Sequence, residues 1–129
     1  MHLSDIYGRS EVKLDEDGAA LTMTHVFSEE SFLAGHFPGN PIVPGVILID
    51  GMIYATLLLA GTAGSLVGVG PVHINGVTFH AAVRPGKQVV FKAKTKDVNK
   101  EITSISSACQ VFVDGKRHAR GNFTVSLYK

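Results

Sequence analysis

The sequence predicts an α+β protein in which a strongly curved antiparallel sheet wraps around one long apolar helix. Residues 46–63 are almost wholly apolar, and a helix that is apolar on every side has to be buried on every side. The flanking segments instead alternate apolar and polar residues between turn residues, as strands with one covered face do. Packing the helix into the concave face of the sheet is the economical arrangement. One sheet of this size cannot cover the helix alone, so we also expect a homodimer or a higher oligomer of dimers.

The strands are predicted from period-two alternation and from turn residues. Before the helix, Glu11–Leu14 and residues 19–27 flank the turn sequence DEDG and form a predicted hairpin. Residues 29–33 are expected to form a short helical turn, and the proline-rich stretch 34–44 a rigid loop. Three or four strands are predicted after the helix, in the segments 71–83, 88–97, 102–113 and 116–128. Within them, Asp114–Gly115 is a strong signal for a two-residue hairpin.

The helix is predicted to begin at Pro44 or Gly45 and to run to about Ala60. Proline is favoured in the first helical turn, and the apolar pattern becomes continuous at this point. The segment approaches the lower length limit for a membrane span. Asp50 interrupts it, however, and no basic or aromatic residues bracket it, so we interpret it as a buried core helix without membrane insertion.

Composition limits the classes of function. The 129 residues fit one domain, 1–129, and the formal net charge is +1, so no global basic field attracts nucleic acid. The single Cys109 excludes an intramolecular disulfide and fits a reducing compartment. The first residues lack a basic segment followed by an apolar run, so no signal peptide is predicted and we expect a cytoplasmic protein.

The stretch GHFPGNPIVPGVILID, residues 35–50, contains the strongest candidates for a functional site. His36 lies in the proline-rich loop, and Asp50 lies in an aliphatic run with no partner nearby in sequence. Burying an unpaired carboxylate costs several kcal/mol. Taken singly, His36 could cap backbone groups and Asp50 could interact with the helix dipole. Together, with Pro44 and Gly45 between them, they indicate a catalytic pair.

These residues resemble the 3-hydroxyacyl-acyl carrier protein dehydratases of the hotdog-fold superfamily. The matching landmarks are His36, Phe37, Gly39, Pro41, Pro44, Gly45 and Asp50. A second segment, FHAAVRPGKQVVF at 79–91, is similar to another part of the family pattern, with Lys87 where the family usually has aspartate. The resemblance covers roughly residues 20–128.

The resemblance implies a hotdog fold and the dehydration of 3-hydroxyacyl thioesters to trans-2-enoyl thioesters in fatty-acid or specialised lipid synthesis. His36 of one subunit would be the base, because imidazole titrates near neutrality, and Asp50 of the other subunit would be the acid. Apolar surroundings raise the pKa of a carboxyl group such as that of Asp50. Backbone N–H groups at Gly45 would stabilise charge on the thioester oxygen, and glycine there would let the thioester approach.

The resemblance also implies the remaining parts of the site and its partners. An apolar tunnel at the dimer interface would hold the acyl chain, with substrate-binding residues Phe37, Pro44, Val46, Tyr54 and Phe79. An acidic acyl carrier protein would deliver the substrate on its 4′-phosphopantetheine arm, and no metal or redox cofactor is expected.

Two positions depart from the family pattern. The helix acid is Asp50, which resembles the branch that also isomerises its product, whereas the loop sequence HFPG is closer to the branch with glutamate. Tyr54 stands where both branches have glutamine, and the i,i+4 spacing predicts that it shares a helix face with Asp50. Its phenol could hold the carboxyl group or shorten the acyl pocket. It favours a specialised pathway, such as polyene-type lipid synthesis.

Alternative interpretations remain open at this point. A hotdog thioesterase would use the acid to activate water, and a non-enzymatic acyl-binding module would need neither residue. The cations Lys92, Lys94, Lys96, Arg84, Lys87, Arg117 and Arg120 could form a carrier docking patch or simply a solvated face. The strand histidines His25, His73, His80 and His118 are interpreted as structural or exposed, without the spacing of metal ligands.

Overall fold

The computed structural model describes residues 3–28, 42–61, 69–96 and 104–127. The elements in chain order are α1 (Leu3–Tyr7), β1 (Glu11–Leu14), β2 (Ala20–Val26), α2 (Gly45–Leu59), β3 (Val69–Phe79), β4 (Gln88–Thr95), β5 (Ser104–Val113) and β6 (Lys116–Leu127). The six strands form one sheet in the order β1-β2-β4-β5-β6-β3. All neighbouring strands are antiparallel, so the predicted fold class is confirmed.

The turn residues form the hairpins that the sequence predicts. Gly18, at the end of the β1–β2 turn, has a φ of 73°. Asp114 and Gly115 have φ values of 51° and 76°. A two-residue turn of type I′ requires positive φ at both central positions, and aspartate and glycine tolerate it best.

The predicted strand 71–83 is wrong at its C-terminal end, because β3 stops at Phe79. The N–H groups of His80 and Ala81 both donate to the His118 carbonyl, at 2.7 and 3.3 Å, which ends the regular ladder. Further on, the Val83 carbonyl accepts a hydrogen bond from the Val43 N–H at 2.8 Å. Residues 80–83 therefore leave the sheet, and Val83 forms a backbone hydrogen bond with Val43, just before α2.

The core lies between α2 and one face of the sheet. In β4 and β5, buried residues alternate with exposed or partly buried ones, as a sheet with one covered face requires. The buried residues of α2 are Ile47, Leu48, Gly51, Met52, Tyr54, Ala55, Thr56 and Leu57. The opposite side of the helix is less covered, and Val46 is 66% exposed there.

The first helix, α1, was not predicted from the sequence, and it packs on α2 through Tyr7. Tyr7 is 1% exposed, and its hydroxyl donates to the Ile47 carbonyl at 2.5 Å. The Tyr7 ring also makes edge contacts with Phe27 and Phe91. Since the helix has only five residues, it is too short to show a periodic pattern.

Two predictions concern residues outside the described ranges. The helical turn at 29–33 lies entirely outside them, and so does the loop at 34–44 as far as residue 41, including His36 and Phe37. Within the described ranges, no helix is long and apolar enough to cross a membrane.

Candidate active site

The described residues leave the N-terminus of α2 without a side-chain cap. Pro44 precedes the helix with φ −57° and ψ 141°, and no side chain in the described part of the chain caps it. The hydrogen bond between Val43 and Val83 fixes this end against the chain that follows β3. Uncapped N–H groups and the helix dipole together favour a negative charge at this position.

Gly45 lies against the ring of Phe79. A Cβ atom built on Gly45 would come within 3.0 Å of Phe79 Cζ, which is closer than side chains normally pack. A side chain at this position would therefore require the Phe79 ring to shift by a few tenths of an ångström. This close packing is a reason for glycine besides the thioester approach expected from the sequence. Phe79, predicted as substrate-binding, is 47% exposed beside this helix end.

A groove of about 400 Å³ opens at this end of the molecule. Its lining is almost entirely apolar: Ile42, Val43, Gly45, Leu48, Phe79, His80, Ala81, Ala82 and Val83. The sequence analysis left His80 out of the site, although it directly follows Phe79 in the second family-like segment. The groove therefore combines an apolar wall, one imidazole and a helix N-terminus.

Asp50 lies on the less covered side of α2. It is partly buried, like its neighbours Ile49 and Ile53, and these residues form a stripe with the exposed Val46. Burial raises the pKa of the Asp50 carboxyl above its ordinary value of 3.8. No described residue forms a hydrogen bond or ion pair with it. A raised pKa keeps a carboxyl group protonated to a higher pH. A general acid has to carry this proton before it can donate it to a leaving group.

Tyr54 follows Asp50 by one helical turn but packs towards α1. It is 6% exposed, and its ring centroid lies 5.9 Å from that of Tyr7. Within the described part of the chain, it makes no hydrogen bond to the Asp50 carboxyl. The side chain therefore fills space behind the acid, on the side of the helix where α1 packs.

The structure brings together Pro44, Gly45, Val46 and Phe79 at one end of α2. Asp50 and Tyr54 follow within the next three helical turns. His36 and Phe37 lie outside the described residues, so their assignment stays a prediction. Tyr7 was missed, because nothing in the sequence connects the first helix to the acid.

A long helix held by a curved antiparallel sheet defines a hotdog-fold protein, and comparisons with known proteins agree. The dehydratase heterocomplex ApeI:P from Xenorhabdus doucetiae has a TM-score of 0.66 at 17% identity, over 90% of this chain and 94% of that one. A hypothetical thioesterase with coenzyme A from Streptococcus pneumoniae has a TM-score of 0.66 at 12% identity, over 94% and 90%. At these identities the likeness establishes the fold and does not distinguish between the two activities.

Sequence comparison identifies the family. Residues 8–122 match the model of the FabA-like domain, and the chain belongs to this family. The 3-hydroxyacyl-[acyl-carrier-protein] dehydratase FabZ of Allorhizobium ampelinum is 34% identical over 108 residues, which span 81% of this chain and 68% of that relative.

Proposed function

We propose that the protein dehydrates 3-hydroxyacyl thioesters, carried on an acyl carrier protein, to trans-2-enoyl thioesters. Membership of the FabA-like family and the names of its FabZ relatives support the reaction class. The structural observation that carries the proposal is Asp50, a partly buried acid of raised pKa on an apolar helix that begins beside an apolar groove.

In the proposed reaction, His36 removes the proton from C2 of the substrate. The C2 electron pair forms the C2–C3 double bond, and the C3–O bond breaks. Asp50 gives its proton to the departing hydroxyl group, which leaves as water. The cycle closes when Asp50 regains a proton, either the one that His36 took from C2 or one from solvent, and in the second case His36 releases its proton to solvent. No oxidant or reductant is consumed.

The N-terminus of α2 serves the same reaction by holding the thioester carbonyl. Negative charge grows on that oxygen as the C2 proton leaves, and uncapped N–H groups beside Gly45 lie where the helix dipole favours such charge. The apolar lining of the neighbouring groove lowers competition from water. Substrate contacts in this arrangement come from Phe37, Pro44, Val46 and Phe79.

The base and the acid of one site come from opposite subunits of a dimer. The stripe of Val46, Ile49 and Ile53 supports this arrangement, because it leaves apolar surface around Asp50 on the side of α2 that faces away from its own sheet. A second copy covering this stripe would bury Asp50 further and raise its pKa more.

The substrate acyl group belongs to fatty-acid or specialised lipid synthesis, and Tyr54 favours the specialised, polyene-type case. The phenol occupies the family's glutamine position and packs against Tyr7. The 4′-phosphopantetheine arm of the carrier belongs to the substrate, and the chemistry needs no further cofactor.

A product assay tests the reaction class. Purified protein is given 3-hydroxyacyl-carrier substrate, and the conjugated enoyl thioester is measured together with free thiol. Enoyl product without thiol release is expected. Thiol release without enoyl product would instead establish the thioesterase alternative.

Mixing two inactive variants tests the shared site. His36→Ala and Asp50→Asn each remove one partner from both sites of a homodimer. In a heterodimer of the two, one site loses both residues and the other keeps both. Random remixing gives heterodimers in half of the dimers, so recovery of about a quarter of wild-type activity is expected. No recovery despite verified subunit exchange would place both residues in one subunit.

A further inference from the structure

The Tyr7 side chain contacts three positions of α2 that lie on one face of the helix. Its hydroxyl donates to the Ile47 carbonyl at 2.5 Å, and its ring centroid lies 5.9 Å from that of Tyr54. Between these two positions, a Cβ atom built on Gly51 would lie 2.8 Å from Tyr7 Cζ, so the ring packs directly on the helix backbone. Positions 47, 51 and 54 have the spacing of a single helix face. Tyr7 therefore holds α2 over about two helical turns.

The Tyr7 ring is itself held by rings of the sheet. Phe91 of β4 and Phe27, which follows β2, meet it edge-on, with centroids 5.5 and 6.1 Å away. His25 of β2 makes a third edge contact at 5.0 Å. Tyr7 is buried, and a close-packed ring cannot swing aside without moving its neighbours. The sheet thus fixes the Tyr7 ring, and the ring fixes one face of α2.

Asp50 lies at the border between the face that Tyr7 holds and the less covered stripe of the helix. Successive residues of an α-helix are about 100° apart around its axis. Asp50 is therefore about 60° from Ile47 on one side and about 40° from the exposed Val46 on the other. A rotation of α2 by about 40° would turn the carboxyl group either towards α1 or out into the stripe. The direction of the acid consequently depends on the rotational position of the helix.

A second set of contacts holds α2 on another side. The Thr56 hydroxyl lies 2.6 Å from that of Ser107 in β5 and donates to the Met52 carbonyl at 2.9 Å. Thr56 is about 120° from Asp50 around the helix axis and about 9 Å further along it. The Tyr7 hydroxyl instead meets the helical turn that immediately precedes Asp50. Of these two anchors, Tyr7 therefore has the more direct control over the acid.

We propose that Tyr7 is a positioning residue for the dehydration: from α1 it fixes the rotational position of α2, and thereby the direction in which Asp50 presents its carboxyl group. Tyr7 is not among the described residues that line the apolar groove, so it acts through the helix and not on the substrate. The inference rests on the proposed function, because that function makes Asp50 the acid.

A kinetic series at position 7 tests the positioning role. Tyr7→Phe keeps the ring and removes the hydroxyl, whereas Tyr7→Leu removes both. kcat for dehydration should fall about threefold in Tyr7→Phe and about thirtyfold in Tyr7→Leu, because a misplaced acid slows the chemical step. KM should stay within about twofold, since ground-state binding is not altered. Tyr7→Phe carries the test on its own where Tyr7→Leu does not fold.

Thr56→Val is the matched control, because it removes a buried hydroxyl from the other anchor of the same helix. Each variant is assayed at a temperature at which circular dichroism shows it fully folded, so that a loss of stability alone does not change kcat. Under these conditions Thr56→Val should keep kcat within about twofold of wild type.

Titration of the Asp50 carboxyl carbon by NMR gives a readout that needs no turnover, with Asp50→Asn to assign the signal. The pKa of Asp50 should change by about 0.5 or more in Tyr7→Leu, because the burial of the carboxyl group changes when the helix rotates. The pKa should keep its wild-type value in Thr56→Val.

Unchanged kcat in both variants at position 7, or an equal fall of kcat in Thr56→Val, would overturn the positioning role. A rise in KM without a change in kcat would also overturn it and assign Tyr7 to substrate binding. Failure of the proposed function gives a different result. Wild-type protein that forms no enoyl product, while its Asp50 signal still responds to Tyr7→Leu and not to Thr56→Val, would refute the dehydration and leave the coupling between Tyr7 and Asp50 intact.

Discussion

The Tyr7 hydroxyl donates to the backbone carbonyl of Ile47 at 2.5 Å, and so joins the first helix to the turn of α2 that precedes Asp50. Tyr7→Phe removes the hydroxyl and this buried hydrogen bond but keeps the ring. It should lower the free energy of unfolding by about 1 kcal/mol, because the carbonyl keeps its helical partner. Tyr7→Ala also removes the ring from the core and should cost about 3–5 kcal/mol. Urea denaturation measures both. Equal losses in the two variants would show that the hydroxyl, and not the ring, holds α1 in place.

Gly51 is predicted to tolerate no side chain. A Cβ atom there would lie 2.5 Å from the Phe91 ring and 2.8 Å from the Tyr7 ring. Gly51→Ala should therefore destabilise the protein by about 1–3 kcal/mol through overpacking. Gly76→Ala is the matched control, because Gly76 has open space around it, and it should stay within about 0.5 kcal/mol of wild type. Similar melting temperatures for the two variants would contradict the packing described around Gly51.

A buried polar cluster joins α2 to β5. The Thr56 hydroxyl donates to the Met52 carbonyl at 2.9 Å and lies 2.6 Å from the Ser107 hydroxyl. Thr56→Val keeps the shape of the side chain but leaves Ser107 without this partner, and should cost about 1–3 kcal/mol. Adding Ser107→Ala should recover part of that loss, since both partners are then removed. Strictly additive losses, measured by denaturation, would show that the two hydroxyls do not interact.

The raised pKa of Asp50 predicts a pH-dependent effect on stability. Between the unfolded value of 3.8 and the higher folded value, the folded state binds more protons than the unfolded state. This contribution to stability is fully present below pH 3.8 and is lost as pH rises through the folded pKa. Asp50→Asn cannot ionise, so it should melt at a higher temperature than wild type at pH 7. The difference should shrink at pH 3.5, and a constant difference at both values would refute the assignment.

Local signals in the sequence predicted the helix and the hairpins. The bounds of α2 follow from Pro44, the apolar run and the glycine after Ala60, and the β5–β6 turn follows from Asp114–Gly115. Each of these depends on the conformational preferences of a few neighbouring residues. The resemblance to the dehydratase family also depends on a short run of neighbouring residues. It placed Gly45 and Asp50 on one helix, and both lie in α2.

Features that depend on contacts distant in sequence could not be predicted. The end of β3 at Phe79 depends on the His118 carbonyl, and the burial of Tyr7 depends on Ile47. The i,i+4 spacing placed Tyr54 near Asp50 along the helix, but the Tyr7 ring determines where the phenol packs. The alignment of Lys13, Lys92 and Arg120 across the outer face of the sheet likewise exists only through the pairing of strands.

The kinetics of dehydration in three variants test whether His36 is the base and Asp50 the acid. The rate of enoyl thioester formation is measured for His36→Ala, for Asp50→Asn and for the control His80→Gln, which alters the one imidazole lining the described groove. We predict that the first two variants each lose about 10²-fold or more in kcat, as expected for a general base and a general acid, while His80→Gln stays within a few fold of wild type. Undiminished turnover in His36→Ala, or a loss confined to His80→Gln, would show that His36 is not the base of the reaction.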